Sequence, residues 1–114
     1  MASFFQSEKQ RALFLELAST GELIFACGPS GISANLCGFW RVQRYPENKE
    51  DRLEVGDGTH HVHVNWERVK RVDHSTLHGE GVLTFFDGDE KLFRFYRPAG
   101  DFSDSLKQLI GPLL

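Results

Sequence analysis

All five histidines of the chain fall between His60 and His78, and three of them stand in the stretch His60-His61-Val62-His63-Val64-Asn65-Trp66. Neutral imidazole is a common ligand for zinc and iron, and it serves as an axial ligand of haem. Strand alternation sends His61 and His63 to one side, about 7 Å apart by strand rise. Such a pair suits a metal or a haem, whose iron needs only one or two side chains and an apolar pocket. The same alternation puts Val62, Val64 and Trp66 on the other side, so the stretch reads as a strand with a core face and a ligand face. A structural reading stands beside the chemical one. Histidines on a sheet face also pair with neighbouring carboxylates or with solvent, and no third ligand follows at a recognised interval.

Other chemistries find less in the sequence. His61, His63 and Glu67, with His74 or His78 further on, resemble in outline the HxH and glutamate pattern of the cupin barrels, which hold one metal with three histidines and a glutamate. However, Glu67 lies across a turn expected at Asn65, and the second cupin motif is not recognisable downstream. There is no GxSxG elbow, CxxC pair, phosphate-binding loop or GxGxxG fingerprint. Asp87, Asp89 and Glu90 lack the twelve-residue pattern of a calcium loop and read as a polar turn. No nucleophile with a base beside it stands out, and an enzyme is not the expectation.

The elements that must position these residues follow from periodicity. From about Ser3 to Ala18 there is no glycine or proline, and Phe5, Ala12, Leu13, Glu16 and Leu17 fall near one side of a helix, with Ser3 or Ser7 as its cap and Gly21 beyond its end. Glu22 to Cys27 reads as a buried strand, and Gly28-Pro29-Ser30-Gly31 turns the chain. Ile32 to Tyr45 is extended, with a bend at Gly38 after which Trp40, Val42 and Arg44 continue the even-numbered side. Pro46 to Asp51 reads as a charged, solvated connection, and Arg52 to Val55 as a short strand. After the histidine strand, Asn65 to Arg68 forms a turn, Val69 to Val72 resumes the strand, and His74 to Gly81 is expected as a loop. The clearest hairpin joins Val82–Phe86 to Lys91–Tyr96 through Asp87-Gly88-Asp89-Glu90, setting Leu83 and Phe85 against Phe93 and Phe95. A terminal helix capped by Asp101 aligns Phe102, Leu106, Leu109 and Ile110 until Gly111-Pro112 stops it. Helix, antiparallel strands and helix make an α+β fold: a curved antiparallel sheet with an N-terminal and a C-terminal helix packed on it.

Composition bounds the rest. The 114 residues suit one domain, 1–114, and 40% hydrophobic content with ten phenylalanines gives an aromatic-rich core. A net charge of −3 with scattered basic residues argues against nucleic acid. No apolar run approaches the roughly 20 residues that span a bilayer, and the first residues do not read as a signal peptide. A cytoplasmic protein is expected, with Cys27 and Cys37 as small buried hydrophobes.

The run Val62-His63-Val64-Asn65-Trp66-Glu67-Arg68-Val69 is similar to the strand and turn of the bacterial cytosolic haem-utilisation proteins of the HemS/ChuX type. Leu83 to Tyr96 resembles that family's hydrophobic strand, turn and returning aromatic strand, so the likeness extends from about Thr20 to Tyr96. It implies a haem-utilisation-like fold, homodimers, and a tetrapyrrole carried or stored on the histidine-bearing face. His63 matches the family's strand histidine and His61 a more variable position. The resemblance also implies contact of Trp66 with the ring, His74 and His78 closing from the other side, and a basic group for the propionates among Arg41, Arg44, Arg68 and Arg94. The alternative from another class is a dimeric interaction module of the same fold without a ligand.

Overall fold

In the computed structural model, which describes residues 3–114, helix α1 runs Glu8–Ala18 and Ser7 is its cap. The Ser7 side chain accepts the Gln10 amide at 3.0 Å, taking up one of the donors that a helix start leaves open. The helix therefore starts later than the glycine-free run suggests. Residues Ser3 to Phe5 instead lie along a strand: Asp51 N donates to Ser3 O at 2.8 Å, and Phe5 N donates to Asp51 Oδ2 at 2.9 Å.

The strands are β1 (Glu22–Cys27), β2 (Ala34–Tyr45), β3 (Glu50–Val55), β4 (His60–His63), β5 (Arg71–Leu77), β6 (Glu80–Asp87), β7 (Glu90–Arg97) and β8 (Gly111–Pro112). They form one eight-stranded antiparallel sheet in the order β4-β3-β2-β1-β7-β6-β5-β8, so the α+β class is as expected. The long strand β2 serves both halves, pairing Ala34–Phe39 with β1 and Trp40–Tyr45 with β3. At Gly38 a Cβ would sit 2.5 Å from Val55 Cγ1, so a larger residue there would force the Val55 side chain to move, and the alternation runs through Gly38 from Leu36 to Trp40 without a register shift.

One face of the sheet is the core. Leu23 and Phe25, Trp40, Leu53, Leu83 and Phe85, and Phe93 and Phe95 pack with Leu13, Phe14 and Leu17 of α1. Each such side chain contributes about 1.5–3 kcal/mol on burial. The β6–β7 register sets Leu83 against Phe95 and Phe85 against Phe93, as the hairpin pattern predicts, and the Phe85 and Phe93 rings stack at 4.7 Å.

Between β4 and β5 the chain crosses from one edge of the sheet toward the other. It does so through a 3₁₀ turn, Trp66–Arg68, which Asn65 caps by accepting the Glu67 amide. Trp66 is fully buried, 4.4 Å from the Phe5 ring and 4.7 Å from Phe14, with Nε1 donating to Asp51 O at 2.9 Å. The equally buried Gln10 donates through Nε2 to Trp66 O and Val69 O, both at 2.9 Å.

Five expectations need correction. The histidine strand ends at His63, because Val64 to Trp66 turn inward to join α1. The segment from His74 is no loop: His74 lies within β5, and His78-Gly79, at φ 52 and 81, is the two-residue turn of a β5–β6 hairpin. Glu50 and Asp51 belong to β3 and are buried. The terminal helix α2 is the single turn Asp104–Lys107, capped by Ser103 because Asp101 is engaged elsewhere, and Gly111-Pro112 then pairs with β5 as β8. Cys27 is half-buried and Cys37 exposed, the latter because it lies on the side of β2 opposite Leu36 and Trp40.

The Gln10 amide gives the first test. Gln10→Ala leaves the Trp66 and Val69 carbonyls without their donor and is expected to lower stability by about 2–4 kcal/mol. Urea denaturation reads this as a lower midpoint at unchanged slope. A loss well under about 1 kcal/mol would show that the crossing does not depend on this amide.

Candidate functional site

His61 and His63 occupy the outer face of the β2–β3–β4 end of the sheet. Register places His61 opposite Glu54 and His63 opposite Arg52, while on the next strand Arg41 faces Glu54, Gln43 faces Arg52 and Tyr45 faces Glu50. Alternation puts all of these on the side away from α1. Asp51, Leu53 and Val55 take the inner side.

Two carboxylates are buried on this outer face: Glu50 is 3% and Glu54 1% exposed. Glu50 accepts Arg52 Nε at 2.6 Å on one oxygen and His63 Nδ1 at 2.9 Å on the other. Glu54 accepts Arg41 Nε at 2.9 Å and, on its second oxygen, the Tyr45 hydroxyl. The Arg52 guanidinium also lies 4.2 Å over the Tyr45 ring, which joins the two carboxylate clusters. Burial pushes the Glu50 carboxyl up, but the hydrogen bonds from His63 and Arg52 outweigh it and hold the group below its ordinary range. Glu54 is likewise lowered, since Tyr45 and Arg41 outweigh its burial, and the bond to Glu54 raises the Tyr45 phenol.

This network determines what His63 offers. An ionised carboxylate only accepts, so the Nδ1 facing Glu50 carries the hydrogen, and Nε2 makes no hydrogen bond among the described residues. The side chain is 45% exposed, and the His61 ring meets it edge-on at 4.9 Å. A carboxylate behind Nδ1 is the arrangement that orients histidines which bind metals through the other nitrogen.

Beside His63 the sheet curls enough for its edge strand β4 to share a pocket with β1 and β7. The pocket has a volume of about 240 Å³ and is walled by Phe25, Val62, Val64, Val69, Leu92 and Phe93, with His63, Asn65 and Arg68 also lining it. Apolar walls with few polar groups are characteristic of small-molecule sites.

The other candidates are not gathered here. Trp66 packs inside the core and has no surface for a ligand ring. Arg68 reaches the pocket, but its guanidinium is bound to Asp87 at 2.9 Å and to Glu90. His74 sits on β5, near the opposite edge from β4, where Nε2 lies 2.7 Å from Asp101 and Lys107 Nζ lies 2.6 Å from the other Asp101 oxygen. His74 thereby ties α2 to β5. His78 occupies the exposed hairpin turn, so neither histidine closes over His61 and His63. Among the described residues no three histidine, cysteine, aspartate or glutamate side chains converge, which leaves the cupin-like cage without a ligand set. Glu50, Glu54 and Tyr45 were missed as site residues. Their signal was the period-two charge of Glu50, Arg52 and Glu54 opposite the histidine strand.

No family model matches the chain, and no curated protein matches it. Among the described residues, no helix is long and apolar enough to cross a membrane.

The lowered carboxylates fix a pH dependence. A carboxyl whose folded value lies below its unfolded one stabilises the fold above the unfolded value, and the gain is lost as pH falls through the folded one. Stability is therefore expected to decline as pH drops below about 4.5, the ordinary value of these glutamates. Glu50→Gln is expected to be less stable than wild type at neutral pH and to converge with it in acid. Thermal unfolding across this range checks it, and parallel curves would contradict the assignment.

Proposed function

We propose that this chain binds a tetrapyrrole, haem in the first instance, as a carrier or store in the cytosol, with His63 as the axial ligand. One observation carries the reading: an imidazole anchored through Nδ1 to a buried carboxylate, with Nε2 free, at the rim of an apolar pocket. The donor set fits haem better than a bare metal ion, because a porphyrin supplies four nitrogens itself and asks the protein for only one or two. Bound haem would supply an iron centre as acceptor for the imidazole lone pair. The chain's own part is to hold the ring: Arg52 fixes Glu50, Glu50 fixes His63, and His61 stands next to it as the second candidate. The pocket is small beside the usual 300 Å³ or more of roughly drug-sized sites, which suits one apolar edge of a planar ligand.

Dimerisation without a ligand is the second reading, and it has its own observation. Strand β8 pairs with β5 only at Arg71 and Val72, which leaves the Asp73–Leu77 edge without a strand neighbour on that side. Leu77 there is 51% exposed. An open edge of this kind accepts a strand from another chain. A second copy pairing there would give a dimer in sedimentation that Thr76→Pro abolishes.

Titration with hemin tests the leading reading. Wild type is expected to give a saturable, shifted Soret band that His63→Ala removes and His61→Ala leaves in place. Glu50→Gln keeps the ligand but loses its anchor, and is expected to weaken binding by about 10–100-fold. A wild-type spectrum that does not change with added protein would overturn the assignment.

A further inference from the structure

Four arginines stand out in the sequence as partners for an acidic ligand, and three of them are already engaged: Arg41 with Glu54, Arg44 with Asp51, and Arg68 with Asp87 and Glu90. Arg94 is different. Among the described residues it forms no ion pair, its Nε is buried without a hydrogen-bond acceptor, and its one side-chain bond runs from Nη1 to the Tyr96 hydroxyl at 3.3 Å. A buried guanidinium N–H without an acceptor is uncommon in folded proteins and calls for an explanation.

Arg94 lines a second pocket, of about 170 Å³, with Lys91, Tyr96, Ser33, Ile32 and Leu92. Lys91 also makes no ion pair among the described residues. Two residues with unpaired cations thus line one small volume together with Tyr96 and Ser33, in a chain whose net charge is −3. The pocket is also continuous with apolar surface, because it shares Cys27, Leu92 and Phe93 with the 240 Å³ pocket beside His63.

From this arrangement we infer that the pocket at Arg94 binds the carboxylate of an amphipathic organic acid, whose hydrocarbon part runs over Leu92 and Phe93 toward the neighbouring pocket. A planar carboxylate matches a guanidinium and would meet Arg94 through its terminal nitrogens, because Nε is shielded from solvent. Lys91 adds a second charge at the exposed side. The apolar continuation selects for a hydrocarbon tail, which a free inorganic anion lacks. The carboxylate end uses neither His63 nor iron, and only the apolar residues Cys27, Leu92 and Phe93 are common to the two pockets.

Calorimetric titration of the full chain with decanoate, decanol and inorganic phosphate tests the inference. Decanoate is expected to bind at least about tenfold more tightly than either of the other two. Arg94→Gln is expected to remove that advantage, leaving decanoate equal to decanol. Lys91→Gln, at an exposed position, is expected to weaken decanoate several-fold, and it decides the matter by the same comparison if Arg94→Gln does not fold. His63→Ala is expected to keep decanoate binding intact, so the two sites fail separately. Decanoate binding no tighter than decanol, phosphate binding as tightly as decanoate, or a decanoate advantage that survives both the Arg94 and the Lys91 substitutions would each overturn the inference.

Discussion

The fold depends on one crossing. A sheet whose strand order runs from β4 at one edge to β5 and β8 at the other needs a connection between its ends, and the chain makes it between His63 and Arg71 with a turn that buries Val64, Trp66 and Val69 while Glu67, Arg68 and Lys70 stay exposed. Burying a turn exposes its backbone groups to an apolar core, and each unsatisfied group costs about 1–3 kcal/mol. Burial of the Trp66 ring contributes about 1.5–3 kcal/mol, so two orphaned carbonyls would cancel it. Gln10 prevents this by donating to Trp66 O and Val69 O, while Ser3 Oγ accepts Trp66 N at 2.9 Å and donates to Val64 O at 3.1 Å. The helix position, the extended start at Ser3 and the direction of β4 are all consequences of satisfying that turn.

The same constraint reaches the outer face. Because Trp66 Nε1 is held by Asp51 O, β3 is fixed in register beneath the crossing, and its alternate residues Glu50, Arg52 and Glu54 are forced outward beside the histidines. Burying carboxylates there carries a desolvation cost, which their partners outweigh at neutral pH. Desolvation offsets much of the attraction in an ion pair, and pairs reaching solvent, as Arg41 does, contribute at most about 1 kcal/mol. The network also provides orientation. Glu50 has one oxygen on Arg52 and one on His63, so the imidazole plane is set by groups that are themselves fixed.

The fold was more legible in the sequence than the site, for a physical reason. Core strands announce themselves through period-two apolar residues, as Leu83, Phe85, Phe93 and Phe95 do. Elements decided by tertiary bonds were not legible. Helix propensity runs on from Ser3, but Ser3 and Phe5 gain more by pairing with Asp51; Asp101 looks like a cap, but its oxygens serve His74 and Lys107. The run Pro46 to Asp51 has the composition of a solvated loop, and Pro46 to Lys49 are exposed; the burial of its last two residues, Glu50 and Asp51, depends on guanidinium and imidazole partners from three strands. Alternation singled out His61 and His63 as a pair, and the family resemblance put His63 first. Its partner Glu50 was not singled out, because a carboxylate thirteen positions upstream becomes a neighbour only through strand register.

The two pockets follow from how the sheet fails to close. A sheet that curls without hydrogen-bonding its edges leaves inner-face residues near the gap with fewer neighbours than those beneath α1. Phe25 and Phe93 belong to the core at one end and to a pocket wall at the other, and Val62 and Val64 approach them from β4 without pairing. The polar groups at the gap come from positions where alternation turns outward, which is why His63 and Arg94 each stand next to apolar walls they do not belong to. Their states differ in one respect that decides their chemistry. His63 has a carboxylate that holds its Nδ1, whereas Arg94 has none among the described residues and its Nε is left without an acceptor.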